Sequence, residues 1–521
     1  MARVGVGSSG PATGRRVVDP RGPARVALVG LLLAMLMASL DNTIVATALP
    51  TIAGTLGGLN EFAWVTTAYI LTASIGTPLY GKLGDLYGRK PVFLFALAVF
   101  LVGSALSGAA ESMGQLIAFR AMQGIGGGGL IVSAGTIYAD LFSPEERPRT
   151  QGYFTAVFGA STLAGPLLGG FVTDHLGWRW VFYLNLPLGA LALLTAAVAL
   201  KLPRRLGRPR IDVRGMALLG GLVTCLVLLA TWGGTRYAWY SPAIFGLGVG
   251  VLVLLVAWIR TERFAAEPVI PLRLFRESIF DISIAVTVLS GFALFGGVAF
   301  LPLFLQLVSG ASATNSGLLL LPLTVGLLTV SLGAGPLIGW AGLKWAGIAG
   351  MGSATIGMGL LSTMTADTSH LASGVYSFLL GIGLGLVMQV YTLTVQNTVP
   401  PRDLGAATAT VIFARQVGGS FGLPIFGAIF NSRLGHGLAS HLPPGTLARL
   451  STDTSITPEA IKRLPPALRH GVVGSYGHAL TAVFLVAALV LAAGFLIALF
   501  LKQVPLRVPS GPQQAQSTPD P

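Results

Sequence analysis

The sequence predicts an all-α polytopic membrane protein, and three observations carry that prediction. First, the 521 residues are 53% hydrophobic and only 10% charged, with a mean hydropathy of +0.76. A water-soluble chain carries about 25% charged residues, so this much apolar surface needs lipid as its solvent. Second, fourteen apolar stretches approach the roughly 20 residues that a spanning helix requires. Third, the basic residues cluster between those stretches, mostly on one side. A net charge of +14 in a soluble chain points to nucleic acid; here it reads as topology, and no nucleic-acid partner is expected. The single cysteine, Cys225, excludes an intrachain disulfide or a cysteine-based metal cluster.

The elements follow in order. Residues 1–24 are rich in Gly, Pro and Arg without an apolar run, which predicts a cytosolic disordered tail and not a signal peptide. Six spans near 26–49, 62–82, 92–110, 115–139, 150–173 and 179–200 make an N-terminal half over 25–200. Two more, near 213–233 and 241–259, lie with their cytosolic linkers in 201–279. The last six, near 280–307, 314–338, 345–365, 371–396, 404–430 and 475–501, make a C-terminal half over 280–501. The longest connection, 431–474, contains SITPEAIKRL, the pattern of a short capped amphipathic helix. Residues 502–521 form a polar, Pro-rich cytosolic tail.

An even number of spans places both termini on one side. That side carries 24 basic residues and the other six, so both termini are predicted to be cytoplasmic and the 431–474 loop to face outward. The Gly-, Ala- and Arg-rich composition, with Lys scarce, suggests a high-GC bacterial genome and hence a bacterial cell membrane.

The two halves share a motif. GKLGDLYGRK (Gly81 to Lys90) aligns with GPLIGWAGLK (Gly335 to Lys344) at an offset of 254, keeping Gly, Leu, Gly and Lys in register. Both copies follow the second span of a six-span block. Gly339 stands where Asp85 stands, so any charge-based role there is confined to the first half. Transporters built from repeats place their substrate site between the halves, near the bilayer midplane.

Several stretches make this specific. GKLGDLYGRKP resembles the loop signature of the major facilitator superfamily, and LIAFRAMQGIGGG its fourth span with a membrane arginine. FGASTLAGPLLGG resembles the fifth-span motif of the superfamily's antiporters. LDNTIVATALP and WRWVFYLNLPLG resemble the fourteen-helix drug:proton antiporter branch, the QacA/EmrB-like group. The resemblance implies the major facilitator fold: two six-helix halves plus two inserted helices, fourteen in all.

Asp41 sits inside the first apolar segment, roughly sixteen residues and about 24 Å from Arg25, past the bilayer centre. A charge at the centre costs about 2.5–3.5 kcal/mol on insertion scales, so a carboxylate held there points to a proton acceptor. The blander reading is an aspartate used for helix packing. Arg120, near the start of the fourth span, lies at a similar depth. Its guanidinium stays charged, and a changing Asp41–Arg120 distance would couple proton release to conformation. The blander reading is a permanent ion pair or a snorkelling arginine. Arg415, a third membrane charge, lines the cavity or bonds carbonyls.

Gly81, Gly84 and Gly88 suit tight turns and close helix approach. Asp85 is placed to meet a helix N-terminus or Arg89, a conformational latch in the outward-facing state. Gly165, Pro166, Gly169 and Gly170 form the hinge and seal that the resemblance implies, although small residues also serve ordinary packing. Candidates for lining the substrate cavity are Trp64, Tyr69, Gln123, Phe158, Phe292, Phe295, Gln389, Phe413 and Arg415. Aromatic faces among them suit lipophilic cations.

GTPLYGKL (from Gly76) fails as a phosphate loop, because Leu83 replaces the magnesium-binding Ser or Thr and the segment ends a span. GIGGGG (from Gly124) lacks the strand–turn–helix context of a dinucleotide site. No cofactor is therefore expected, and the energy source should be an ion gradient, which the resemblance implies is a proton gradient. No constellation supports an enzyme or a metal site. The expected function is proton-coupled efflux of amphipathic or cationic drug-like compounds by alternating access. Alternatives are an exporter dedicated to one endogenous metabolite, antibiotic or lipid, and a non-transporting membrane receptor or assembly factor.

Overall fold

The computed structural model describes residues 23–56, 62–142, 146–200, 212–234, 236–311, 313–441 and 465–503. Among them there is no strand; the chain is a bundle of long helices. These are α1 (Pro23–Leu56), α2 (Phe62–Tyr87), α3 (Arg89–Gly108), α4 (Met113–Leu141), α5 (Arg147–His175), α6 (Arg179–Tyr183) and α7 (Asn185–Ala199). Then follow α8 (Val213–Trp232), α9 (Pro242–Phe264), α10 (Ser278–Leu307), α11 (Ala313–Leu319), α12 (Leu321–Leu361), α13 (His370–Thr398), α14 (Leu404–His441) and α15 (Pro466–Leu499).

Local chemistry sets several of the starts. Ser112, Asp212, Ser241 and Ser369 each cap a helix by accepting a backbone N–H two or three residues into it. Solvent, however, is what makes the helices long. Phe245 and Val256 on α9 are 73% and 64% exposed, which only a lipid surround tolerates along an apolar helix. Eight of the described helical segments are long and apolar enough to cross a membrane, or nine with a bent pair on α12 taken as one span. The protein is thus a multi-pass membrane protein.

Each of the fourteen predicted segments overlaps a described helix, the sixth being broken at Leu184 between α6 and α7, but the count of fourteen spans is not reproduced among the described residues. Segments 314–338 and 345–365 share α11 and α12, whose helical run is interrupted at Gly342 (φ 78°). Gly88 (φ 93°) separates α2 from α3 at the equivalent place in the shared motif. At both repeats a glycine occupies the left-handed region, where other residues are strained. The GKLGDLYGRK and GPLIGWAGLK copies therefore share a backbone device as well as letters.

Helix ends differ from the hydropathy limits. α14 runs to His441 and α15 starts at Pro466, so helix covers much of the connection read as 431–474. Backbone hydrogen bonding carries a helix past the end of its apolar stretch. SITPEAIKRL and both chain tails lie outside the described residues.

Helices α1 to α7 pack mainly among themselves, with α4 against α2 and α3 and α1 against α5 and α7. A second group joins α10, α12, α13, α14 and α15 around a core that includes Phe304, Met351, Leu384, Phe426 and Phe484. The groups meet where α2 and α4 touch α14, and where α5 touches α12 and α13. Helices α8 and α9 pair with each other, and α8 reaches both groups through α2 and α14.

Candidate functional site

Asp41 lies on α1 and is only 1% exposed. Its carboxylate meets donors from two neighbouring helices. Arg120 Nη1 on α4 lies 2.5 Å from Oδ2. Gln123 Nε2, one turn further along α4, donates to Oδ1 at 2.8 Å. Asn185 Nδ2, at the start of α7, donates to the same oxygen at 3.0 Å. Three N–H groups thus face two oxygens, the arrangement a deprotonated carboxylate wants.

The surroundings fix the donors. Gln123 Oε1 accepts from Arg120 Nη1 at 2.7 Å, and Arg120 Nε reaches the Val65 carbonyl on α2 at 3.4 Å. The guanidinium carbon stands 4.2 Å from the centre of the Tyr69 ring, a stacking geometry that arginine favours. Asn185 also reaches Ser104 Oγ on α3 at 3.0 Å, and that hydroxyl donates to the Phe182 carbonyl at 2.8 Å. Arg120 and Gln123 are fully buried, and Asn185 nearly so. Arg120 Nη2 is buried without a partner.

Of the residues predicted to line a cavity, Tyr69 and Gln123 therefore stand in this ion-pair cluster. Asn185 and Ser104 are additions that the sequence reading missed. The available signal was a lone amide inside the apolar WRWVFYLNLPLG.

A second cluster ties α2 to α14. Asp85 is 4% exposed, and its two oxygens accept the backbone N–H groups of Gly405 (3.1 Å) and Ala406 (3.0 Å) in the first turn of α14. A helix N-terminus presents free N–H groups and a partial positive charge, so a carboxylate is favoured there. Arg89 Nη2 stands 3.4 Å from Asp85 and Nη1 2.9 Å from Asp140, and Arg89 also donates to the Thr136 carbonyl. Both partners proposed for Asp85 are thus engaged together.

Contact there depends on glycine. A Cβ at Gly81 would meet Ala409 Cβ and lie 2.7 Å from the Gly405 carbonyl; one at Gly405 would lie 2.5 Å from the Gly81 carbonyl. The linker between α9 and α10 straps the same end. Lys82 pairs with Glu267 at 2.6 Å and Arg273 with Asp403 at 2.7 Å.

At the α1–α5 crossing, a Cβ on Gly165 would run into Thr43 Oγ1, and one on Gly169 into Thr47 Oγ1 and to 2.9 Å from the Ile44 carbonyl. Gly170 faces open space. The Pro166 and Phe295 side chains lie outside the described residues.

The remaining candidates are dispersed. Trp64 meets Trp232 of α8 edge-on at 5.7 Å, and Phe292 meets Phe426 at 5.0 Å. Phe413 packs on the α8–α9 cluster, Phe158 is half-buried on α5, and Gln389 is fully buried on α13. Among the described residues, Arg415 reaches only the Met388 carbonyl, at 3.5 Å, and its Nε is buried without a partner.

A family model for the Major Facilitator Superfamily matches residues 31–423. Multidrug resistance protein 3 of Bacillus subtilis is 37% identical over 482 residues, covering 91% of this chain and 94% of its own. Multidrug transporter protein MdtP, also of Bacillus subtilis, is 36% identical over 503 residues, covering 92% and 93%. Among solved structures, the human organic anion transporter MFSD10 superposes with a TM-score of 0.58 over 91% of this chain and 99% of that one. At 16% identity it speaks to the fold alone.

Proposed function

This chain belongs to the Major Facilitator Superfamily, and from that premise we propose that it exports small amphipathic, drug-like compounds in exchange for protons. The superfamily consists of membrane transporters of small molecules, not enzymes, and its members generally need no cofactor. The multidrug names of the two Bacillus relatives support the substrate class. The proton gradient is the energy source, and the working partners are the substrate, protons and the bilayer. The setting is a bacterial cell membrane with both termini in the cytosol. The working units are two six-helix halves, 25–200 and 280–501, with the inserted pair between them.

Burial of Asp41 among three donors is the observation that carries this reading. When deprotonated, the carboxylate holds α1 to α4 and α7 through Arg120, Gln123 and Asn185. A proton removes the charge that Arg120 faces and turns one oxygen from acceptor to donor, so at least one of these bonds is lost. The gain from an Arg–carboxylate contact far exceeds that of a neutral bond in a dry site, and protonation therefore loosens α1 from its neighbours. At the cytosolic end, Asp85 on the first turn of α14 latches the halves together. Proton loading from outside releases the outer arrangement, and the halves rock to open inward. Substrate then enters as the proton leaves, and the return stroke carries it out.

The test uses purified protein in liposomes with an imposed pH gradient. A fluorescent lipophilic cation and internal pH are followed together for the native chain and Asp41→Asn. Gradient-driven cation movement with counter-moving protons, lost in the variant, is the expected result. Normal proton exchange in Asp41→Asn overturns the role of Asp41, and no movement of either species in the native protein overturns the export reading.

A further inference from the structure

Among the described residues, Asp41, Arg120 and Arg415 are charges set within the apolar helices α1, α4 and α14. Asp41 and Arg120 neutralise each other. Arg415 is left over. It forms no ion pair with any described carboxylate. Its single hydrogen bond among the described residues, from Nη2 to the Met388 carbonyl of α13, is long at 3.5 Å. Its Nε is buried and unpartnered.

The depth of Arg415 is informative. It lies eleven residues after Leu404, the first residue of α14, hence about 16 Å along the helix. That is near the middle of a hydrocarbon layer about 30 Å thick. Charged side chains at this depth are almost always paired or face a polar cavity, because an isolated one is costly. A lipid headgroup cannot reach the midplane, so it does not supply the missing anion.

The location is equally pointed. The backbone of Arg415 presses on Gly291 of α10, where a Cβ would stand 3.0 Å from Arg415 Cα. One residue on, Gln416 Oε1 accepts from Thr77 Oγ1 of α2 at 3.4 Å. Arg415 is thus the sequence neighbour of a residue that bridges the two helix groups, and repeat-built transporters bind substrate between their halves.

We propose that Arg415 is the counter-charge for an acidic group on the transported compound, so that the preferred substrates are amphipathic molecules bearing a carboxylate. This rests on the export reading and narrows it. The guanidinium offers two or more N–H donors in a planar fork that matches a carboxylate. An anion there brings the deep charge to zero.

The test compares rhodamine B, which carries a free carboxylate, with its ethyl ester, which shares the dye body but not the acid. Binding to purified protein in detergent at pH 7.5 is followed by fluorescence anisotropy, and transport in liposomes under a pH gradient. The native protein is expected to bind rhodamine B at least tenfold more tightly than the ester. Arg415→Gln is expected to weaken rhodamine B about tenfold while leaving the ester within twofold, the unchanged ester binding showing that the variant is folded. Arg415→Lys, which keeps the charge, is expected to fall between.

Equal affinity for the two dyes in the native protein, or equal weakening of both in Arg415→Gln, overturns the proposal. If the native protein nonetheless drives both dyes against the gradient, the export reading survives that failure. If the native protein neither binds nor moves either dye, the proposal and the reading beneath it fall together.

Discussion

Arg120 holds Asp41 through one nitrogen. Nη1 stands 2.5 Å from Asp41 Oδ2 and 2.7 Å from Gln123 Oε1, while Nη2 is buried with no partner. With Nε on the Val65 carbonyl, two of the three guanidinium nitrogens are engaged, and the contact depends on the planar fork being aimed by the Tyr69 ring. Arg120→Lys retains the charge and loses both the fork and the stacking. The expected result is an initial rate of pH-driven exchange at least tenfold below the native rate. A native rate in Arg120→Lys in liposomes would reduce the residue to a point charge.

The second oxygen of Asp41 depends on Asn185. Asn185→Leu removes one donor to the charged carboxylate while keeping the site filled. A hydrogen bond to a charged group contributes about 1.5–3 kcal/mol, so its loss loosens the tie between α1 and α7. The expected result is an initial rate of pH-driven exchange about tenfold below the native rate. A native rate in Asn185→Leu would make Asn185 a packing residue.

The proposed latch is tested at the α2–α14 contact. Asp85→Asn removes the charge from the first turn of α14, an interaction of about 0.3–2 kcal/mol. Ala409, fully buried against Gly81, reports opening when replaced by Ala409→Cys in a Cys225→Ser background. Labelling by a water-soluble maleimide is expected to speed up two- to tenfold in Asp85→Asn. Gly81→Val, which places side-chain atoms where Ala409 and the Gly405 carbonyl stand, is expected to do so more strongly.

The α1–α5 crossing separates two adjacent glycines. Gly169→Ala forces its new methyl into Thr47 and is expected to destabilise by about 1–3 kcal/mol. Thr47→Ala in the same chain is expected to recover much of that. Gly170→Ala meets open space and is expected to leave thermal unfolding within a degree or two of native. Equal effects of Gly169→Ala and Gly170→Ala, read by unfolding in detergent, would remove the crossing as the cause.

Much of this architecture was legible in the sequence because lipid imposes one simple demand, a long apolar run. Gly88 and Gly342 were legible as a repeat, and their shared left-handed backbone explains why the glycines recur. Asp41 and Arg120 were readable as partners from depth alone. Gln123 carried a clearer signal than its placement in a cavity suggested, since it lies three residues from Arg120 and so on the same face of α4. Other features had no local signal. The pairing of Glu267 with Lys82, and of Arg273 with Asp403, joins residues 185 and 130 positions apart, and charges in a linker point nowhere until the bundle forms. The extents of α14 and α15 were hidden because hydropathy reports where lipid ends and not where a helix does.

Asp41 and Thr43 are two residues apart on one continuous helix, so their side chains project from nearly opposite sides of α1. One side reaches Arg120, Gln123 and Asn185; the other lies on the bare backbone of Gly165 in α5. The same rod thus carries the proposed proton site on one side and packs against the α5 glycines on the other. A rotation that freed the carboxylate while α5 stood still would drive Thr43 across the glycine surface and break that fit. The exchanger avoids this short circuit only if α5 travels with α1. Proton access and leak-tightness are therefore a single mechanical degree of freedom, and a variant that decouples them should waste the gradient rather than merely slow its use.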